Sequence, residues 1–388
     1  MKILALSTDI PNAQKKGYQV VAYNRLIYLT NLGHSIKLIC FKSKNKLDKE
    51  AKIILEKKGI EVVLIKFNFI EAILNLMQAI FFKELPFQCA FFKCKKFHNS
   101  IKEFLKKNNF DLIHIFSIRI MPNLSNYNCK LIVEMVDSLS LNFNRRQKLA
   151  KGIKKFILNI EQKRLLKYEK NIANQSTQTI VVSEKDKKMI NSDKVKVIHL
   201  GTEIIKKRRN QCHNPKIVFS GNMFYQPNID AIQWFVKYCW SKILKKNSTS
   251  MLFIIGDNPK WSLKRLEKKY ASVFVTGRVH SMSDALSEAT IAIAPMQSGS
   301  GMQFKILEAM ALSIPVVTTT LGLGDLKAQI NKEILIANNS DEFLTHINKL
   351  IQDKMYNLRI GKNGQSYVLK NHNWNNLNQK FLTSLDLK

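Results

Sequence analysis

The chain has 388 residues, of which 45% are hydrophobic, and carries a formal net charge of +33 with a pI near 9.9. This length is large for a single hydrophobic core, so two domains are expected. The charge predicts an anionic partner, either nucleic acid or an anionic membrane. No segment reaches the roughly 18 apolar residues of a membrane span, and the start MKILALST lacks the pattern of a signal peptide. The six cysteines are scattered, as is typical of reduced thiols in a cytosolic protein.

The first half of the chain alternates short apolar strands with helices, which indicates a doubly wound parallel sheet. The predicted strands are residues 3–7, 34–41, 61–67, 111–116, 131–136 and 179–182. Helices are expected at about residues 18–32 and 46–58. Asp137 and Ser138 follow the fifth strand directly, so they are expected at the carboxyl edge of the sheet, where such folds bind their ligands.

Two further helical stretches stand out by their apolar or basic character. Residues 69–82 are apolar around most of the helix, and lysines follow them in residues 87–97. This combination suits an interfacial anchor, and the alternative is a helix packed on the first sheet. Residues 145–170 predict one basic amphipathic helix, which is typical of a membrane-surface element, and the alternative is a solvated face. Its cations include Arg145, Arg146, Lys154 and Lys155.

The second half of the chain repeats the alternation of strands and helices. The predicted strands are residues 216–220, 251–256, 273–276, 291–294 and 316–320. Polar, basic residues 206–214 form the expected linker. Helices are expected at residues 341–354, 355–370 and 374–387.

The stretch 291–317, IAIAPMQSGSGMQFKILEAMALSIPVV, predicts a strand, a glycine turn, a helix from Met302 and a second strand. The turn comprises Gly299, Ser300 and Gly301. Unpaired backbone N–H groups and the partial positive charge of the helix start make this an anion site that suits phosphate.

Lys305 and Glu308 project from one face of this helix because they are three residues apart. We predict that Lys305 binds a diphosphate and that Glu308 accepts hydrogen bonds from ribose hydroxyls. The alternative is a solvated ion pair that contributes roughly 0.2–0.5 kcal/mol to helix stability.

The segment SGSGMQFKILEAMALSIPVV resembles the donor-site segment of family 4-type glycosyltransferases of the GT-B fold. The similarity is greatest to sugar transferases of exopolysaccharide and exosortase-type clusters, whose segment reads much like G-x-Q-x-K-x-L-E-A-M-A. The resemblance implies an α/β protein with two doubly wound, Rossmann-like domains facing across a cleft. It also implies sugar transfer from a nucleotide diphosphate sugar with retention at the anomeric carbon. The resemblance is strong over residues 219–317 and weaker before residue 200.

The resemblance also implies the domain limits. Residues 1–205 would form the acceptor-binding domain and residues 206–370 the nucleotide-sugar-binding domain. Residues 371–388 would form a helix that crosses back to the first domain. Residues 196–203 resemble the segment that crosses into the second domain.

Further site residues are implied by the same resemblance. The donor-binding set is Gly17, Gly221, Asn222, Arg278, Val279, Gly299, Ser300, Gly301, Met302, Gln303 and Phe304. Asp137 is the candidate for positioning or deprotonating the acceptor hydroxyl, and the alternative is a helix N-cap. Ser138, Arg145, Arg146, Lys154 and Lys155 are assigned to the acceptor or membrane side.

The sequence departs from the family pattern at several positions. The typical site has two glutamates separated by seven residues, and here Ser300 stands at the first position while Glu308 matches the second. Phe116 stands where a histidine is usual, and His114 within the strand is interpreted as a core histidine. Asn222 and Asn228 replace an arginine and a lysine, so Lys305 is expected to supply the positive charge.

We therefore predict a glycosyltransferase that needs no metal or other cofactor and works at the cytoplasmic face of the membrane. Its expected partners are a nucleotide sugar, a lipid-linked or glycan acceptor and an anionic membrane surface. The alternatives are a basic nucleic-acid-binding protein, although no recognisable nucleic-acid module is present, and a catalytically degenerate GT-B scaffold. A GT-B sugar-nucleotide epimerase is a further enzymatic alternative.

Overall fold

The computed structural model describes residues 1–13, 17–43, 46–82, 85–148, 150–203, 214–279, 281–298 and 303–385. The chain divides into two compact units, which we call the first and second domains. The first comprises Met1–His199 with Asn378–Lys388, and the second comprises Leu200–Leu377.

The first domain contains a seven-stranded parallel sheet with strand order β3-β2-β1-β4-β5-β6-β7. Its strands are β1 (Lys2–Ser7), β2 (Ser35–Phe41), β3 (Glu61–Ile65), β4 (Leu112–Phe116), β5 (Lys130–Val136), β6 (Gln178–Val181) and β7 (Val195–Val197). Strand β4, with the sequence LIHIF, is buried at all five positions because helices cover both faces of a parallel sheet.

Helices connect these strands. They are α1 (Tyr18–Asn31), α2 (Lys46–Lys57), α3 (Phe69–Phe82), α4 (Phe87–Phe91), α5 (Lys95–Lys107), a 3₁₀ helix (Ile118–Asn123), α6 (Leu139–Lys148), α7 (Gly152–Gln175) and α8 (Glu184–Ile190).

The second domain contains a six-stranded parallel sheet with strand order β10-β9-β8-β11-β12-β13. Its strands are β8 (Lys216–Ser220), β9 (Met251–Ile255), β10 (Val273–Gly277), β11 (Ile291–Ala294), β12 (Val316–Thr318) and β13 (Leu335–Ile336). Its helices begin with α9 (Gln226–Phe235), a π-helix (Val236–Trp240), α10 (Ser241–Lys246), α11 (Trp261–Lys269) and α12 (Met282–Leu286). They continue with α13 (Phe304–Ala311), α14 (Thr320–Leu323), α15 (Ser340–Gln352), α16 (Lys354–Asn371) and α17 (Trp374–Ser384), which passes into the first domain at Asn378.

The predicted α/β class with two doubly wound, Rossmann-like domains is confirmed. The prediction of a single basic helix at residues 145–170 is wrong, because these residues belong to two separate helices, α6 and α7. Gly152 has a φ of 58°, a left-handed backbone conformation that glycine adopts without steric cost. The first domain also has one strand more than predicted, since Val195–Val197 pairs with β6 in a region interpreted as a crossing segment.

Among the ranges given above, no helix combines the length and the apolar character that a membrane crossing requires.

Candidate donor and acceptor sites

The carboxyl ends of three strands in the second domain are held together by glycines. The Gly221 amide donates to the Ile255 carbonyl at 2.9 Å, and the Gly256 amide donates to the Gly277 carbonyl at 3.0 Å. A Cβ atom on Gly256 would lie 1.6 Å from the Gly221 carbonyl oxygen, so only glycine permits this approach. Gly221 is one of the site residues predicted from the sequence, whereas Gly256 and Gly277 are not. The sequence feature that could have indicated these two glycines is their position directly after, or at the end of, an apolar strand.

Lys305 lies in the first turn of α13 and is buried, with 8% of its surface exposed. Its ammonium donates to Asn228 Oδ1 at 2.5 Å, lies 3.6 Å from Met296 Sδ and lies 4.5 Å from the centre of the Phe219 ring. These contacts fix the ammonium at the carboxyl ends of β8 and β11, which are neighbours in the sheet.

Asn228 connects Lys305 to the turn after β8. Its side-chain amide donates to the Asn222 carbonyl at 2.9 Å, while its Oδ1 accepts the bond from Lys305. A Cβ atom on Gly221 would lie 2.8 Å from Asn228 Nδ2 and 3.4 Å from Lys305 Nζ. The structure thus brings together Gly221, Asn222 and Lys305, three predicted site residues, and adds Asn228 as their link.

The N-terminus of α13 has the features of an anion site. The helix begins at Phe304, and the side chain of the preceding residue, Gln303, does not cap it. Amide groups in a first helical turn have no partner within the helix and carry partial positive charge. Glu308 lies one turn further along the helix and is half-buried. The predicted residues Gly299, Ser300, Gly301 and Met302 lie outside the described residues.

Arg278 and Val279 follow β10, an edge strand of the second sheet. Strand β10 lies two positions from β8, which corresponds to about 10 Å at the usual spacing between strands. Arg278 is exposed and Val279 is half-buried. They therefore occupy the rim of the sheet edge rather than its centre, and their role in donor binding remains a prediction.

Asp137 and Ser138 differ in environment although they are adjacent. Ser138 is buried, its amide donates to Asp186 Oδ1 at 3.0 Å, and its hydroxyl donates to Glu169 Oε2 at 2.9 Å. The Ser138 hydroxyl also accepts from the Leu141 amide at 3.1 Å, which is the bond of a helix N-cap. The capping role considered for Asp137 thus belongs to Ser138, and Asp137 is an exposed residue.

The Asp137 carboxyl has a perturbed protonation equilibrium. Although part of its surface reaches solvent, the protein surrounding the carboxyl raises its pKa to about 6, and the negative charge of Asp186 adds to this shift. The Arg145 guanidinium acts in the opposite direction. A carboxylate with a pKa near the working pH can accept a proton from a hydroxyl and release it again.

The carboxyl edge of the first sheet holds a polar cluster that the sequence analysis missed. The Tyr18 hydroxyl donates to Asp9 and lies 2.7 Å from the Thr8 hydroxyl. Burial, followed by the charge of Asp9, raises the pKa of Tyr18 well above its ordinary value, so this phenol remains a proton donor. Gly17 precedes this tyrosine with a φ of 71°, at the start of α1.

The cations assigned to the acceptor or membrane side lie on two helices. Arg145 and Arg146 belong to α6, where Arg146 lies 4.8 Å from the centre of the Phe143 ring. Lys154 and Lys155 belong to the exposed start of α7.

Comparisons with known proteins agree with this architecture. The chain resembles Anabaena Alr3699/HepE, solved in complex with UDP, with a TM-score of 0.65 and 14% identity over all of both chains. It also resembles a mutant of S. aureus TarM, solved with Fondaparinux, alpha-GlcNAc-glycerol and UDP, with a TM-score of 0.68 and 14% identity over all of both chains. These likenesses define the fold as GT-B, as the sequence predicted.

Sequence comparison adds two further likenesses. Residues 214–353 match the family described as Glycosyl transferases group 1. A Klebsiella pneumoniae protein described as an uncharacterized 44.6 kDa protein in the cps region is 26% identical over 96% of both chains. The chain therefore has the GT-B fold, and the segment that matches the group 1 family lies in the second domain.

Proposed function

We propose that this chain is a retaining, metal-independent glycosyltransferase of the family 4 type. It would transfer a sugar from a nucleotide diphosphate sugar to a glycan or lipid-linked acceptor at the cytoplasmic membrane face, in the synthesis of a cell-surface polysaccharide. The cps-region relative and the UDP-bound structural neighbours support this proposal. The observation that carries it is the buried Lys305 ammonium beside Asn228, next to the amide end of α13.

The proposed chemistry depends on stabilising a departing diphosphate. In the transition state, negative charge accumulates on the oxygen that leaves the sugar. The Lys305 ammonium and the first amides of α13 are held in place before the reaction, so they stabilise this charge without reorganising. In this proposal Glu308 accepts hydrogen bonds from the ribose, and Asp137 positions or deprotonates the acceptor hydroxyl.

The test is nucleotide binding by the full chain, measured by calorimetry and thermal shift with UDP, GDP and their sugars. We expect binding of one nucleoside diphosphate to be unchanged by EDTA and to fall at least about 100-fold in Lys305→Ala, since a charge-assisted contact is lost. The control is Lys237→Ala, which removes an exposed lysine from the same domain. Equal binding by wild type and Lys305→Ala would refute the role assigned to Lys305.

Transfer to membrane lipid extract distinguishes the remaining alternatives. A degenerate scaffold would bind nucleotide without transfer or hydrolysis of any sugar. An epimerase would turn over its nucleotide sugar without an acceptor. A nucleic-acid-binding protein would bind DNA with a steep salt dependence and bind no nucleotide sugar.

A further inference from the structure

Helix α3 exposes its large apolar side chains and buries its small ones. Seven apolar residues of the helix are between 42% and 78% exposed. They are Phe69, Ile70, Ile73, Leu74, Met77, Ile80 and Phe81. At 3.6 residues per turn they fall within an arc of about 140°, so they form one continuous stripe. Ala72 and Ala79 lie on the opposite side of the helix and are buried.

Polar contacts fix the orientation of α3. Glu71 Oε1 accepts from the Lys95 amide at 2.7 Å, and Asn75 donates to the Lys93 carbonyl at 2.8 Å. Glu71 and Asn75 therefore bind the protein, while the apolar face of the helix points to solvent. This is the reverse of the arrangement in a surface helix of a soluble domain, where the apolar stripe faces the core.

The start of α7 is a second segment with exposed apolar side chains. Ile153, Phe156 and Ile157 are between 51% and 80% exposed. Further along the helix, Arg164 donates to the Ala79 carbonyl at 2.9 Å. Ile157 precedes Arg164 by seven residues, so the exposed start of α7 lies about 11 Å along the helix from this contact with α3.

These two segments hold 10 of the 23 large hydrophobic side chains that are exposed in the described part of the chain. Exposed apolar residues scattered singly are normal, but a concentration of this kind marks an interaction site.

The charge around these segments indicates what covers them. Lys154 and Lys155 alternate with the apolar residues of α7, and Lys93, Lys95 and Lys96 adjoin the polar edge of α3; all five are exposed. Lysines beside aliphatic and phenylalanine side chains suit the boundary between acyl chains and anionic headgroups. Helix α3 has 14 residues, too few to cross a bilayer, so it would lie in the plane of the interface.

We propose that the stripe of α3 and the first two turns of α7 form a membrane-docking face that inserts into an anionic lipid leaflet. This face deepens the proposed function by identifying the surface that holds the enzyme beside a membrane-associated acceptor. Its binding is measured without donor or acceptor, so the two proposals fail independently.

The experiment is co-sedimentation of the full chain with phosphatidylcholine vesicles containing about one third phosphatidylglycerol. Ile70→Gln combined with Met77→Gln should reduce the partition coefficient at least about tenfold, because both side chains would enter the acyl region. Lys154→Glu combined with Lys155→Glu should reduce it similarly, since two favourable charges become repulsive.

Matched controls change the same residue types elsewhere. Met355→Gln with Leu358→Gln alters an exposed apolar pair on α16, and Lys264→Glu with Lys268→Glu alters an exposed lysine pair on α11. Both control variants should bind vesicles as the wild type does. Hydrogen exchange should slow in residues 69–82 and 152–158 when vesicles are added.

Three results would overturn the proposal. The first is a wild-type chain that stays in the supernatant with anionic vesicles. The second is vesicle binding by the Ile70→Gln, Met77→Gln variant equal to that of its control. The third is protection of residues 69–82 in a dimer without vesicles, which would show that a second copy covers this face.

Discussion

Asn228 is the residue on which the geometry of the candidate donor site depends. It accepts from the Lys305 ammonium at 2.5 Å and donates to the Asn222 carbonyl at 2.9 Å, so one neutral side chain positions both a cation and a turn. Because Asn228 is neutral, it does not compensate the positive charge of Lys305. An asparagine here therefore holds the lysine without competing with an anionic ligand for its charge.

The substitution Asn228→Asp tests this reasoning. A carboxylate at this position would form an ion pair with Lys305 and repel a diphosphate. We expect donor affinity to fall at least about tenfold. The new ion pair with Lys305 stabilises the fold, but the hydrogen bond to the Asn222 carbonyl is lost, so thermal stability should change little. Calorimetry with the preferred nucleotide and a thermal unfolding scan measure the two quantities, with Asn247→Asp in the same domain as control. Tighter nucleotide binding by Asn228→Asp would contradict the proposed diphosphate site.

Asp137 gives a prediction about pH. Because its pKa is raised to about 6, its carboxylate form is populated above that pH and is lost below it. If Asp137 acts as a base, kcat/KM should fall about tenfold per pH unit below pH 6. Arg145→Ala removes a charge that lowers this pKa, so the acid limb should move to higher pH. If the acid limb of the kcat/KM profile does not move in Arg145→Ala and is still present in Asp137→Asn, Asp137 does not act as the base.

The sequence could place Asp137 and Ser138 at the end of a strand but could not distinguish their roles. Either residue type can cap a helix, and the distinction depends on which backbone amides each side chain reaches. It also depends on Glu169, a buried residue of α7 that binds the Ser138 and Ser140 hydroxyls from 31 and 29 positions away, respectively. Contacts between residues that are distant in sequence are not encoded in any local pattern.

At the scale of elements, a buried ion pair within the first domain contacts the part of α17 that belongs to this domain. Arg25 of α1 forms a bond of 2.9 Å with Glu134 of β5, and both side chains are almost fully buried. The Arg25 guanidinium also donates to Asn378 and lies 3.9 Å from the centre of the Phe381 ring, both on α17. His114 adds a bond of 3.1 Å to Glu134 from β4. The Glu134 carboxylate of β5 therefore binds side chains of β4 and α1. Through Arg25, the same cluster also contacts α17.

Glu134→Gln should be strongly destabilising, because a buried arginine loses its countercharge. We expect the free energy of unfolding at pH 7 to fall by about 3 kcal/mol, as for other disrupted buried pairs. Glu103→Gln, which breaks an exposed pair with Lys107, is the matched control and should change stability little. Urea denaturation of the two variants and the wild type measures both effects.

The same pair has a defined pH dependence. Burial alone would raise the pKa of Glu134, but the Arg25 charge and the His114 hydrogen bond outweigh it and lower the pKa from 4.5 to about 2. A carboxyl with a depressed pKa stabilises the fold above its unfolded pKa and loses this contribution as pH falls. The stability difference between wild type and Glu134→Gln should therefore narrow between pH 4.5 and 2. A constant difference over this range would show that the charge of Glu134 is not its cause.

The elements themselves were largely predictable. Residues 69–82 match α3 at both ends, and 291–294 match β11, because long apolar runs with clear endpoints identify buried or interfacial elements. The interruption between α6 and α7 was missed, since residues 145–170 show no proline and their basic pattern continues through Gly152. The sequence also left open which way the apolar face of α3 points. That orientation follows from the bonds of Glu71 and Asn75 to residues about 20 positions later, which hydrophobic periodicity does not reveal.

At the scale of the whole molecule, the net charge of +33 creates an attraction for any polyanion. Charge alone cannot select between nucleic acid and an anionic bilayer. The two differ because a bilayer also accepts apolar side chains, and burial of apolar surface does not weaken with added salt. Salt dependence therefore distinguishes a surface that docks by charge alone from one that also inserts.

We expect the wild-type chain to leave DNA and remain on anionic vesicles as salt is raised. Binding through about five phosphate contacts would lose roughly four orders of magnitude in affinity for a tenfold rise in salt. The reason is that the release of condensed counterions becomes less favourable as the salt concentration rises. Vesicle binding should fall less steeply, since Ile70, Met77 and Phe81 contribute a term that salt does not screen. In Ile70→Gln with Met77→Gln the apolar contribution is reduced, so the salt dependence of vesicle binding should approach that of DNA binding. Equally steep curves for DNA and vesicles in the wild type would mean that charge alone holds the chain on lipid.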